Sequence, residues 1–188
     1  MIEFGVDATR IEPRATWSDL RLAEDQVLVL QDLCRQARRR RTGKPRVARE
    51  PTGGTAVTAL FVGGGTAKTT AAEVIAGELG RDLYRIDLSA VVSKWADETE
   101  QHLDRLFDTA ERRGVVLLFD ESDALFGTRR DGKDGDDRHV NLEVGYLLDR
   151  IASHSGVVIL TSNRRTTVDQ AVLGRIRFVV ELPEPVRP

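Results

Sequence analysis

From residue 58 onward, short apolar runs alternate with segments whose apolar residues recur at helical spacing. The apolar runs predict strands at 58–62, 82–87, 115–120, 157–163 and 178–182. The helical spacing predicts helices at 68–80, around 103–110 and around 140–151. Strands that alternate with helices are typical of an α/β fold with a doubly wound, parallel sheet. The run VVLLFD is apolar up to its last residue, which predicts a central strand covered on both faces.

The chain before residue 58 is less regular. Residues 1–16 show no periodicity, and helical spacing extends from Ala23 to Arg40. Basic residues close that helix, where positive charge interacts favourably with the helix dipole. We therefore divide the chain into an N-terminal segment (1–16), a leading helix and loop (17–57), an α/β core (58–184) and a tail (185–188).

The composition limits which partners, cross-links and locations we expect for this protein. The 188 residues include 28 basic and 30 acidic side chains, for a net charge of −2, so we expect neither nucleic acid nor an anionic membrane as a partner. The single cysteine, Cys34, excludes an internal disulfide and a cysteine-based metal site. No apolar run approaches the ~18 residues of a membrane span. The N-terminus lacks the apolar segment of a signal peptide, so we expect a cytoplasmic protein.

The stretch GGGTAKTT, residues 63–70, follows the first core strand and opens the next helix, as a phosphate-binding loop does. Its fit to the pattern G-x-x-x-x-G-K-[ST] is imperfect. Counted back from Lys68, the first glycine falls on Val62; counted from Gly63, one residue is missing. Ala67 replaces the last glycine and places a Cβ where a phosphate should pass. A left-handed backbone at Ala67 would cost about 1–2 kcal/mol, so we expect weakened nucleotide binding.

Two further strands end on side chains suited to phosphate chemistry. Asp120 and Glu121 end the third strand, and Asn163 ends the fourth. Ligands bind at the carboxyl ends of parallel strands. There Asp120 could hold Mg²⁺ through its water shell, Glu121 could polarise the attacking water, and Asn163 could donate a hydrogen bond to phosphate or water. Asp and Glu also cap helices, and that alternative stays open.

These motifs, in this order, resemble the AAA+ ATPases, and specifically the bacterial AAA proteins, over roughly residues 16–184. The resemblance implies a P-loop NTPase core with strand order 5-1-4-3-2 and ATP as the nucleotide. It implies a Mg²⁺ site at Thr69 and Asp120, with Glu121 as catalytic base and Asn163 as a phosphate sensor. The loop residues that would surround the phosphates are Gly63, Gly64, Gly65, Thr66, Ala67, Lys68, Thr69 and Thr70.

The resemblance extends to three segments outside these motifs. Asp19 and Leu20, in TWSDLRL, match positions that lie along the adenine; a helix cap beside a packed Trp17 is the alternative. Arg175 and Arg177, in VLGRIRF, match arginine fingers that reach a neighbouring subunit of a ring; a solvated basic turn is the alternative.

The third segment, SKWADETE, matches a pore loop that grips a polypeptide substrate. Trp95 keeps the aromatic position, but Asp97 replaces a glycine, and Trp95 could equally be a buried anchor.

The resemblance places a helical lid after the fifth strand, where this chain ends at Pro188. We therefore expect an open nucleotide site with lowered affinity unless another chain covers it. The predicted function is Mg²⁺-dependent ATP hydrolysis that drives remodelling of a protein substrate, in a homo- or hetero-oligomeric ring. The alternative is a nucleotide-binding or inactive partner subunit of a mixed ring. A small-molecule kinase is a third class, but no acceptor site is recognisable.

Overall fold

The computed structural model describes residues 8–41, 56–88, 99–123, 145–163 and 170–183. Its strands are β1 (Ala8–Ile11), β2 (Val57–Val62), β3 (Leu83–Asp87), β4 (Val116–Asp120), β5 (Val157–Ser162) and β6 (Phe178–Glu181). Its helices are α1 (Glu24–Arg41), α2 (Ala67–Leu79), α3 (Thr99–Arg113), α4, described over 145–153, and α5 (Gln170–Leu173), with a 3-10 turn at Trp17–Asp19. The predicted bounds of all five core strands, α1 and α2 agree with these to within one residue.

The strands form one sheet in the order β1-β3-β4-β5-β2-β6. Every pairing among β2 to β6 is parallel. Read from the β6 edge, these five strands have the predicted order 5-1-4-3-2. The prediction of this α/β fold is therefore confirmed.

An additional strand, β1, was not predicted. It pairs antiparallel with β3 over Ala8–Ile11, at the edge of the sheet. Its side chains are exposed or half-buried, so no alternation of apolar and polar residues marks it. The pairing with β3 holds β1 in place, and Arg10 also forms an exposed ion pair with Asp82 at 2.7 Å.

Both faces of the sheet are buried by helices. On one face, α3 and α4 cover the strands, and Phe107 packs in the same cluster as Phe119. On the other face, α1 and α2 supply Leu30 and Ile75 to a cluster that contains Phe61. All six residues of β2 and of β5 are buried, as expected of central strands. No helix in the described part of the chain combines the length and apolarity that a membrane span requires.

The topology brings three strand ends together. Because β4, β5 and β2 are neighbours and run parallel, the segments that follow them emerge side by side at one edge of the sheet. Asp120 ends β4 and Glu121 follows it, Asn163 follows β5, and the glycine-rich loop follows β2.

Candidate functional site

The loop after β2 comprises residues 63–66. Val62 belongs to the strand, where it pairs with Ser162 and Glu181. Gly63 has φ of 144°, and a Cβ added there would lie 2.3 Å from the carbonyl oxygen of Leu182. A glycine is therefore required at position 63 by the close approach of the chain that follows β6, independently of any phosphate.

Ala67 is the first residue of α2. Among the non-glycine residues of the described ranges, Glu121 is the one with a positive φ, so the backbone of Ala67 is not left-handed. The expectation of a strained, left-handed backbone at Ala67 was therefore wrong, because α2 has already begun at this residue. The Thr70 amide and hydroxyl both donate to the carbonyl of Thr66, at 3.0 and 3.1 Å, and so stabilise this first turn.

Lys68 links the loop to the end of β5. Its Nζ donates to the Gly63 carbonyl and, at 3.0 Å, to Oδ1 of Asn163. Only 6% of Lys68 is exposed, and this burial lowers its pKa, while Asp120 and Asp123 act to raise it. The structure therefore brings Lys68 and Asn163 together, 95 residues apart in the chain.

Both oxygens of the Asp120 carboxylate have a partner: Oδ1 accepts hydrogen bonds, and Oδ2 forms an ion pair. Oδ1 accepts from the Thr161 hydroxyl at 2.6 Å and from the Glu121 amide at 3.1 Å. Oδ2 lies 3.1 Å from Nε of Arg85. Three neighbours therefore orient this side chain.

Glu121 is exposed and has φ of 54°, in the left-handed region. A non-glycine residue in that region costs roughly 1–2 kcal/mol, and such strain concentrates at functional sites. Its amide also lies 3.2 Å from the Thr161 hydroxyl, and the Ser122 amide donates to the Thr161 carbonyl at 3.0 Å. Thr161 thus contacts the last residue of β4, Asp120, and the two residues that follow it, Glu121 and Ser122.

Sequence reasoning missed Asp123. Its carboxylate accepts from the Ser162 hydroxyl at 2.6 Å and from the Asn163 amide at 3.1 Å, so it joins the ends of β4 and β5. Sequence reasoning also missed Thr161 and Arg85. The available signals were a hydroxyl inside an apolar strand, a charge inside β3, and a third acidic residue shortly after Asp120.

The residues present fit Mg²⁺ and phosphate. Mg²⁺ prefers oxygen ligands and commonly takes one or two from the protein, with the rest from water and phosphates. Asp120 offers a carboxylate, and half-buried Thr69 offers a hydroxyl in the first turn of α2. Across the described ranges no group of three or more His, Cys, Asp or Glu could hold a metal ion. The loop and the amino-terminus of α2 suit a phosphate.

Asp19 forms a capping box with Thr16, the residue that caps the 3-10 turn. Its Oδ2 accepts from the amide and the hydroxyl of Thr16, at 2.7 and 2.8 Å, and these hydrogen bonds lower its pKa. Leu20 is half-buried against the α1 and α2 cluster. Trp17 donates to Glu78 at 3.1 Å. These contacts match the alternative of a cap beside a packed tryptophan, and the adenine contact stays a prediction.

Arg175 and Arg177 lie at the end of the sheet where β2 begins, opposite to the end that carries the loop. The Arg177 amide donates to Thr58 Oγ1 at 3.0 Å, near the start of β2. Gly63 lies five positions further along the chain, which in a strand is a distance of about 17 Å. The Arg177 guanidinium donates to Gln36 at 2.9 Å. Arg175 lies 3.3 Å from Asp149, with 41% of its side chain exposed. Trp95 and Asp97 lie outside the described residues.

Two curated relatives illustrate the similarity to known sequences. The AAA family ATPase y4kL of Sinorhizobium fredii is 32% identical over 182 residues, which is 94% of this chain and 52% of that protein. The Vacuolar protein sorting-associated protein 4 of Dictyostelium discoideum is 29% identical over 126 residues, 64% of this chain and 28% of that protein. The chain therefore spans about half or less of the length of these relatives.

Solved structures share the fold. The crystal structure of the FIGL-1 AAA domain superposes with a TM-score of 0.69 at 21% identity, over 95% of this chain and 58% of that one. The same domain in complex with ADP gives a TM-score of 0.67 at 21% identity, with the same coverage.

The sequence model of one family matches most of the core. That family is the "ATPase family associated with various cellular activities (AAA)", and the match covers residues 59–184. It includes the loop after β2 and the segments after β4 and β5. With these strand ends and this sheet order, the chain belongs to the AAA family.

Proposed function

We propose that this chain binds ATP with Mg²⁺ and hydrolyses it. The observation that carries the proposal is the position of Lys68, whose Nζ donates to Oδ1 of Asn163 at 3.0 Å. Burial lowers the pKa of Lys68, and the nearby carboxylate of Asp120 acts to raise it. A buried cation, a neutral amide and a carboxylate thus meet beside the amino-terminus of α2. The ADP bound to the FIGL-1 domain, which has the same fold, is consistent with nucleotide binding.

Each residue has a role in this proposal that its chemistry allows. Lys68 neutralises phosphate charge, and the α2 amino-terminus adds backbone amides. Thr69 and Asp120 hold Mg²⁺, which offsets charge that develops on the phosphates. Glu121 orients and polarises the attacking water. Asn163 senses the terminal phosphate, since its amide group can donate to it once Lys68 turns to the nucleotide.

The test is Mg²⁺-dependent ATP turnover of the purified chain and of Glu121→Gln. The amide keeps the shape of the side chain but cannot accept the proton, so we expect turnover to fall at least 100-fold while ATP affinity changes less than threefold. Glu24→Gln, at the exposed start of α1, is the control variant. Its turnover and its ATP affinity should equal those of the parent chain.

Three outcomes separate the candidate functions. Undiminished turnover in Glu121→Gln would contradict the assignment of Glu121 as base. ATP binding without turnover in the parent chain would favour the partner subunit of a mixed ring. No binding in any form would contradict the proposal as a whole.

We further propose that the chain works in a ring and acts on a protein substrate. Arg175 and Arg177 both contact Thr58 near the start of β2, too far from their own loop to reach its phosphates, which supports a role at a neighbouring subunit's site. Arg175 is the better candidate, because its ion pair with Asp149 is exposed and easily exchanged. Trp95 is the proposed contact to the polypeptide.

A further inference from the structure

Arg85 is the charged neighbour of Asp120 that the proposed chemistry leaves without a role. It lies on β3, whose register with β4 aligns Arg85 with Leu118 and Asp87 with Asp120. Aligned residues of neighbouring parallel strands present side chains to the same face, so Arg85 is a diagonal neighbour of Asp120. The distance from Nε of Arg85 to Oδ2 of Asp120 is 3.1 Å.

Among the described residues, the hydrogen-bond donors at Asp120 use Oδ1, and Arg85 contacts the other oxygen, Oδ2. Oδ1 of Asp120 accepts from the Thr161 hydroxyl and the Glu121 amide, whereas Oδ2 contacts Arg85. Carboxylate oxygens are the ligands of a hard cation or of its bound water. A divalent cation that approaches Oδ2 therefore meets the guanidinium on the same oxygen.

The ion pair of Arg85 and Asp120 lies where the site meets the solvent. The side chain of Arg85 is 47% exposed and that of Asp120 is 17% exposed. An ion pair this accessible to water contributes little to stability, so the guanidinium can move without unfolding β3. Its charge nevertheless repels a divalent cation within a few ångströms, and buried Lys68 adds a second positive charge nearby.

We propose that Arg85 is a positioning residue that keeps Asp120 paired and disfavours a divalent cation until nucleotide is present. The phosphates of a nucleotide carry enough negative charge to offset both Lys68 and Arg85, so the cation enters together with the nucleotide. This inference rests on the proposed function in taking Asp120 as the metal-binding carboxylate. It does not depend on hydrolysis.

The experiment measures Mn²⁺ binding to the nucleotide-free chain, by the electron paramagnetic resonance signal of free Mn²⁺. Arg85→Met removes the charge and keeps an unbranched side chain, and Arg85→Lys keeps the charge. We expect Arg85→Met to bind Mn²⁺ about tenfold more tightly than the parent chain, and Arg85→Lys to stay within threefold. An Arg85→Met affinity within twofold of the parent, or an equal gain in Arg85→Lys, would overturn the proposal.

Two further variants locate the effect. Asp120→Asn in the Arg85→Met background should abolish the gain; a gain that persists places the metal elsewhere and overturns the proposal. Arg10→Met breaks another exposed ion pair, with Asp82 just before β3, and should leave Mn²⁺ affinity unchanged. Arg85→Gln replaces Arg85→Met if thermal unfolding shows that the latter is misfolded. A chain without ATP turnover can still give the expected Mn²⁺ result, so the two proposals fail separately.

Discussion

The hydroxyl of Thr161 donates to Oδ1 of Asp120 at 2.6 Å, across neighbouring strands. The same hydroxyl lies 3.2 Å from the Glu121 amide, and 1% of Thr161 is exposed. One buried oxygen therefore orients the carboxylate proposed for the metal and holds the left-handed backbone of the proposed base.

Thr161→Val should lower ATP turnover without a comparable loss of ATP affinity. Loss of the hydroxyl leaves the Glu121 amide and the Asp120 oxygen with one partner fewer, at a cost of about 1–3 kcal/mol in the free energy of unfolding. We expect turnover to fall at least tenfold and ATP affinity to change less than threefold. Steady-state kinetics, calorimetric titration and urea unfolding measure the three quantities.

Two controls separate positioning from simple destabilisation. Thr161→Ser restores the hydroxyl and should recover most of the turnover. Val158→Ala, on the same strand and fully buried, should lower the free energy of unfolding without a matching loss of turnover. Equal losses of turnover in Val158→Ala and Thr161→Val would show that Thr161 acts through stability alone.

Arg175 and Arg177, just before β6, should contribute differently to the free energy of unfolding. Their effects on turnover should be similar. Arg177→Ala loses the hydrogen bond to Gln36 and should cost about 1 kcal/mol. Arg175→Ala loses an exposed ion pair and should cost about 0.5 kcal/mol or less. If either is a finger, its loss should lower turnover by roughly 10³-fold or more.

Mixing tests whether these arginines act between chains. Each arginine variant, inactive alone, should regain turnover when mixed with Lys68→Ala, because one chain supplies an intact loop and the other an intact arginine. Turnover of the parent chain should also rise with protein concentration. Turnover independent of concentration, from a chain shown to be a monomer, would rule out fingers.

Ala67→Gly should not tighten nucleotide binding. Ala67 already has a helical backbone at the first position of α2, so a glycine there relieves no strain and lowers the free energy of unfolding by up to about 1 kcal/mol. Calorimetric titration with ATP should give an affinity within threefold of the parent. A tenfold gain would show instead that the Ala67 Cβ obstructs a phosphate.

His154 should make the fold sensitive to acid. Burial lowers its pKa from 6.5 to about 4, and nearby Arg150 and Arg81 act in the same direction, against the opposing effect of Glu111. The unfolded chain takes up a proton below pH 6.5 that the folded chain takes up only near pH 4, so stability is lost as the pH falls through this window. The loss should total about 3 kcal/mol.

Urea unfolding between pH 7 and pH 4 measures this dependence. His154→Leu should remove most of the slope between pH 6.5 and pH 4, since its side chain does not titrate. Burial acts to raise the pKa of Glu111, but the hydrogen bond from Ser155 and the charges of His154 and Arg150 lower it overall, so its contribution has the same sign and lies at lower pH. The part that is due to Ser155 and Arg150 remains in the variant. An unchanged slope in His154→Leu would assign the acid sensitivity to other groups.

Local patterns in the sequence determined the core strands, the helices between them, and the residues that end each strand. Periodicity predicted the core strands and α2 to within one residue, because burial on a sheet or helix imposes its spacing on the chain. Asp120, Glu121 and Asn163 could be assigned to one edge of the sheet, because parallel strands end on the same side.

Only the tertiary structure decided how those residues are held. Thr161 meets Asp120 across 41 positions of sequence, and Gly63 is confined by the carbonyl of Leu182, a residue that follows β6. The contact between Arg85 and Asp120 likewise depends on the register of β3 against β4. Such contacts follow from register and from the packing of distant segments, which no local spacing of residues encodes.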